Sequence, residues 1–129
     1  MSNEVRVLVG DDRGGLTLLQ SHDSGQSWGD PEVVLPDVEP CAFHQRPDGT
    51  VYVGTRGEGL YCSRDGLKNW EHLDTPAGAK RIRSFYSAGD RMLVGAEPAT
   101  VFARSDNGHW EQLGDMWTAP GSRQWAYPV

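Results

Sequence analysis

Apolar and polar residues alternate along this chain in runs too short for helices. "VRVLVG" from Val5, "CAFHQ" from Cys41, "VYVG" from Val51, "RIRSFY" from Arg81 and "MLVG" from Met92 each set side chains on two alternating faces. A period of two over a handful of residues is the pattern of a strand, whereas an amphipathic helix needs an apolar stripe at a spacing of about 3.6, which is absent here. Turn-forming text separates the runs, with "RPDG" ahead of Val51 and "SAGD" ahead of Met92. Such turns fold the flanking strands back as antiparallel hairpins.

The runs recur. Gly10, Gly54 and Gly95 set the register of three segments, "VLVGDDRGGLTLLQS", "VYVGTRGEGLYCS" and "MLVGAEPATVFAR", with the glycines 44 and 41 residues apart. Each is followed by an apolar position (Leu16, Leu60, Val101), a polar turn, and a tryptophan that opens another short segment. These tryptophans, Trp28, Trp70 and Trp110, repeat at 42 and 40 residues.

Four short antiparallel strands repeated every 40 to 45 residues are the signature of a β-propeller blade. The expected fold is all-β with three blades per chain, at about 4–36, 40–74 and 80–114. Blade one begins on what is the second strand of the others, and "SRQWAYPV" reads as a first strand without a blade. Residues of about 123–129 are therefore expected to close blade one by strand exchange. Propellers usually have four to eight blades, so three leave two faces bare. Val5, Val7 and Val9 at one end and Met92 and Val94 at the other are expected to line those faces. A head-to-tail contact closes into a ring or runs on as a filament. Two chains give six blades and three give nine, which favours a homodimer over a homotrimer. A second reading, that the sequence is a piece of a longer propeller, stands beside this one.

The loops before the tryptophans are alike. "SHDSGQSW" holds Ser21, Asp23, Gly25, Ser27 and Trp28 in the pattern S-x-D-x-G-x-[ST]-W. "SRDGLKNW" keeps Ser63, Asp65 and Trp70, with Leu67 and Asn69 at the glycine and Ser/Thr positions. "RSDNGHW" reads as one residue short and is expected to use Asp106, Gly108 and Trp110. This text resembles the Asp-box of the BNR-repeat propellers, a group that includes sialidases and sortilin-type domains. The resemblance covers nearly the whole chain outside 114–121. In that family the boxes sit on the rim away from the channel mouth where ligands bind, which implies a structural role. The residue chemistry agrees: a carboxylate can accept turn N–H bonds, glycine permits positive φ, and the indole can cover the loop. No catalytic residue is assigned.

Composition narrows the partners. With 129 residues, sixteen glycines, eight prolines and a net charge of -6, the chain reads as a soluble, turn-rich domain. Its charge opposes phosphate backbones and anionic membranes, so neither nucleic acid nor a membrane is expected as a partner. The absence of a long apolar window or a signal-like N-terminus makes a cytoplasmic location the expectation. Cys41 and Cys62 stand without a CxxC or suitably spaced histidines and are expected to be small buried hydrophobes. No metal and no cofactor are expected. "GDDRGG" continues into a strand rather than a helix N-terminus and reads as a turn.

The inner strands carry the candidate ligand site. His44, Arg46, Arg81, Arg83, Tyr86, Arg123, Trp125 and Tyr127 are expected to turn in part toward the channel. Guanidinium and aromatic groups there suit a carbohydrate or an anionic small molecule. The competing expectation is that the arginines pair with Asp11, Asp12, Glu58 or Glu97. The resemblance to sialidases implies three arginines on a substrate carboxylate, a tyrosine activated by a glutamate, and an aspartate acid/base. That family's Arg-Ile-Pro motif precedes the first box. The nearest text here, "RIR" at Arg81–Arg83, has Arg83 in place of proline and follows the second box. The reading is a propeller scaffold or binding module that assembles with itself, with a sialidase-like glycoside hydrolase or its inactive fragment as the alternative.

Overall fold

The computed structural model describes residues 3–11, 14–76, 79–97 and 100–115. Eleven strands lie among them: β1 (Val5–Asp11), β2 (Gly15–Ser21), β3 (Glu32–Leu35), β4 (Pro40–Gln45), β5 (Val51–Thr55), β6 (Leu60–Ser63), β7 (Glu71–Leu73), β8 (Arg81–Ala88), β9 (Arg91–Glu97), β10 (Thr100–Ser105) and β11 (Trp110–Asp115). They form three sheets in which spatial order follows chain order: β1-β2-β3, β4-β5-β6-β7 and β8-β9-β10-β11. The expected closing strand at 123–129 lies outside the described residues. No helix among the described residues is long and apolar enough to cross a membrane.

The chain divides into two compact units, Met1–Pro40 with the first sheet and Cys41–Val129 with the other two. In the first unit, β1 and β2 pair from Val5↔Ser21 to Asp11↔Gly15, and Thr17 of β2 pairs with Val33 of β3. Cross-strand partners share a face of a pleated sheet, and alternate residues along a strand share it too. Val7, Val9, Leu19 and Val33 therefore line one face, while Leu8, Leu16 and Leu18 line the other. Leu16 and Leu18 are buried, but Val7, Val9 and Val33 are 39%, 44% and 56% exposed. Among the described residues β1 is also an edge strand, where β5 and β9 each have a partner on both sides.

In the second unit the two sheets face each other across one core. Tyr52, Leu60, Cys62 and Leu73 of the second sheet meet Ile82, Met92, Val94, Ala96 and Phe102 of the third. Fully burying a side chain such as Met92 or Phe102 contributes about 2 kcal/mol. This corrects one expectation: Met92 and Val94, expected on a bare end face, are 2% and 0% exposed, because the pleat turns them toward the second sheet. Cys62 is buried as expected. Cys41 is exposed, and its thiol donates to the Ile82 carbonyl oxygen at 2.7 Å. Both cysteines are free.

Of the recurring glycines, Gly54 marks a close approach of the second and third sheets. A Cβ on Gly54 would lie 2.5 Å from Ile82 Cγ2 and 2.8 Å from Ile82 Cβ, so a side chain there would push the third sheet away. At Gly95 the atom that would be met at 2.5 Å is Ser84 Oγ, on a hydroxyl free to rotate. Gly54→Ala is therefore expected to lower unfolding free energy by about 1–3 kcal/mol through overpacking. Gly95→Ala should cost less than about 1 kcal/mol, the scale of one rotamer change. Denaturant unfolding of the two variants side by side checks the order; equal losses would remove close sheet approach as the reason for the glycine at position 54.

Candidate functional site

The first clasp joins β2 to β3. Ser21, the last residue of β2, accepts the Gly25 N–H at 2.8 Å and the Asp23 N–H at 3.3 Å, and donates to Asp23 Oδ1 at 2.8 Å. Asp23 Oδ1 accepts the Ser27 N–H at 2.8 Å, and Oδ2 accepts the Ser27 hydroxyl. These donors, the Ser27 hydroxyl first, hold the Asp23 carboxyl at about 2. Ser24 and Gly25 both take positive φ, 61° and 89°. Trp28 covers the loop, since a Cβ on Gly25 would meet its Cζ2 at 3.6 Å. His22 Nδ1 sits 2.5 Å from Glu4 Oε1, and that carboxylate raises the imidazole's pKa.

The second clasp reaches the same geometry with different residues. Ser63 accepts the Leu67 N–H at 2.9 Å and donates to Asp65 Oδ1 at 3.0 Å. Asp65 accepts the Asn69 N–H at 2.9 Å and Asn69 Nδ2 at 2.7 Å. The backbone and side chain of Asn69 are the main reasons its carboxyl also stands at about 2. Asn69 thus supplies the two donors that Ser27 supplies in the first loop. Glycine has moved one place, to Gly66 (φ 76°), leaving Leu67 at φ 76°. A leucine in that region is strained; its side chain is 6% exposed, and the burial offsets the strain.

The third clasp departs from the sequence reading. Asp106 is the acid expected there, but Asn107 fills that place. Ser105 donates to Asn107 Oδ1, and the His109 N–H is shared between Ser105 Oγ at 3.2 Å and Asn107 Oδ1 at 3.1 Å. Gly108 N–H donates to the Ser105 carbonyl at 2.8 Å, and Ser105 N–H to the His109 carbonyl at 2.9 Å. With Gly108 at φ 91°, this is a three-residue hairpin loop with glycine at its left-handed position. The serine-to-tryptophan spacing is accordingly five residues instead of seven. Trp110 packs edge-on against Phe102 at 6.4 Å, with the Arg104 guanidinium 5.1 Å above its ring. Counting from the serine, as Ser-x-acid, rather than back from the tryptophan finds Asn107 in the sequence.

Asp106 serves Arg46 instead. The channel is where Arg46 is expected, yet its side chain is 4% exposed and lies between the second and third sheets. Nη1 donates to the Arg91 carbonyl at 3.1 Å and Ser87 Oγ at 3.2 Å; Nη2 donates to the Gly89 carbonyl at 2.9 Å and Asp106 Oδ1 at 3.1 Å. His44 stacks on Phe85 at 5.8 Å, with Nε2 2.9 Å from Ser87 Oγ. Burial is the main cause of its lowered pKa, with the Arg46 charge adding to it. Arg81 and Arg83 are brought together around Glu97, at 3.6 and 3.4 Å, the pairing weighed as the competing expectation. Tyr86 is 70% exposed. Arg123, Trp125 and Tyr127 lie outside the described residues.

At the end of β6 away from its clasp lies a cavity of about 320 Å³, beside Glu58, His72, Asp74, Thr75 and Lys80. The sequence did not mark it; His72 Nε2 lies 2.6 Å from the Glu58 carbonyl oxygen there. Among the described residues no group of three or more His, Cys, Asp or Glu is placed to hold a metal ion.

No family model matches the chain, and no curated protein does. Among solved structures it is similar to YCF48 bound to D1 peptide, with 16% identity and a TM-score of 0.58 over 85% of this chain and 42% of that one. It is likewise similar to YCF48 from Cyanidioschyzon merolae, with 16% identity and a TM-score of 0.55 over 87% of this chain and 38% of that one. The sheets are β-propeller blades. The chain thus spans about two fifths of the length of the proteins it resembles, a partial blade set whose three sheets are numbered blades one, two and three in chain order.

The clasps carry a pH signature. Carboxyls lowered from 3.8 to about 2 stabilise the folded chain fully above their ordinary value, and that contribution disappears as pH falls through about 2. The melting temperature of the unaltered protein is expected to drop between about pH 4 and pH 2, beyond any loss shared with the variant. Asp23→Asn with Asp65→Asn should fold, as Asn107 shows an amide can serve, but lose less over that interval. Identical slopes in a pH series of thermal melts would show that the two carboxylates do not hold their loops.

Proposed function

We propose that the chain is a propeller scaffold and binding module that closes with a second copy of itself into a six-bladed ring, its clasps being Asp-boxes of the BNR type. The observation that carries this reading is the bare face of blade one, where Val7 and Val9 stand exposed on the edge strand β1 and Val33 on the same face of β3. Exposed valines gathered on one face of a sheet mark an association surface. The YCF48 chains, of which this chain covers 42% and 38%, support the ring, because a second copy would supply further blades of the same kind. The expected closing strand at 123–129 is the piece that β1 would receive.

Ligand binding is assigned to the inner strand of blade three, where Arg81 and Arg83 place two guanidiniums around one carboxylate. The excess positive charge suits a carbohydrate acid or another anionic small molecule. YCF48 bound to D1 peptide supports the broader reading of a propeller that binds a ligand. A sialidase-like hydrolase is the weaker reading, since Arg46, just past the inner strand of blade two, has its guanidinium committed to Gly89, Arg91, Ser87 and Asp106.

Light scattering is expected to return twice the 14.2 kDa chain mass. A single-chain mass at micromolar concentration would sink the ring. A screen of fluorogenic glycosides should show no turnover, and turnover that Arg83→Ala abolishes would replace the binding module with a hydrolase.

A further inference from the structure

Resting on that self-assembly, we propose a specific head-to-tail interface: the face of blade three carrying Tyr86, Leu93 and Val101 docks on the face of blade one carrying Val7, Val9 and Val33 of a second copy. The second unit already contains such a contact. Blade two turns Tyr52, Leu60 and Cys62 toward blade three, which receives them on Met92, Val94 and Phe102.

The repeat carries both halves of that contact to the bare faces. With Gly54 set on Gly95, Tyr52 corresponds to Leu93 and Leu60 to Val101; with Gly95 set on Gly10, Met92 corresponds to Val7 and Val94 to Val9. Blade three thus bears a second version of the face that covers, and blade one a second version of the face that is covered. Tyr86 pairs with Leu93 across β8 and β9, which puts it on the covering face. A tyrosine that is 70% exposed, flanked by half-buried Leu93 and Val101, has the composition of an interface anchor. Because the two faces differ, the contact is heterologous, and a pair of chains closes it twice.

Two single variants and their mixture test this. Val9→Arg and Tyr86→Asp alter exposed side chains, so each chain should keep the unaltered protein's strand signal by circular dichroism; Val33→Arg replaces Val9→Arg if that chain is unfolded. Each alone is expected to weaken assembly by about a hundredfold, the scale for an unpaired charge in an interface. Mixed in equal amounts they should assemble again, since one contact then has both faces unaltered and the other sets the introduced guanidinium against the introduced carboxylate. If Tyr86→Asp assembles normally while Val9→Arg does not, blade one docks on blade one and the head-to-tail contact is overturned. If neither variant changes the mass of an assembled protein, other surfaces make the contact. Both results leave the self-assembly reading standing, whereas a monomeric unaltered protein removes both.

Discussion

A sheet with apolar side chains on both faces needs a layer over each, and this requirement organises the molecule. Strand alternation gives every blade two faces to cover, and the core between blades two and three shows how one is satisfied: aromatic and aliphatic groups from one sheet enter the space that glycine leaves on the other. Gly54 works by having no side chain, since Ile82 occupies the position a Cβ would take. The valines of blade one are the same requirement left unmet.

Against that apolar demand, the clasps solve a local polar problem. A tight loop between two strands leaves backbone N–H groups without sheet partners, and leaving such groups unpaired is costly. A serine hydroxyl and a carboxylate or amide two residues later collect them, in three loops with three different sets of residues. The acceptor and its donors are what recur; the identity of each residue is negotiable. Ser27 and Asn69 are chemically unlike, yet each offers one backbone and one side-chain donor.

Much of this is legible from the chain itself. Alternation, the glycine register and the tryptophan period define the four-strand unit, because those features follow from local backbone geometry. What stays hidden is whatever depends on which neighbour fills a space. Met92 and Val94 look bare because alternation names a face without naming its cover. Arg46 looks like a ligand group because an arginine on an inner strand says nothing of the carbonyl oxygens of Gly89 and Arg91 that surround it. Counting back from the tryptophan points to Asp106 as the loop acid, and the shorter loop shifts that place to Asn107.

Arg46 has a consequence for how the second unit comes apart. Its guanidinium bonds the turn between β8 and β9 through Gly89 and Arg91, and the turn between β10 and β11 through Asp106. Two hairpin tips of blade three are thereby tied to the end of one strand of blade two. Hairpin tips ordinarily fray on their own, at little free-energy cost. Here, opening either tip strips partners from a buried cation, so both tips and the neighbouring strand belong to one cooperative opening unit rather than three.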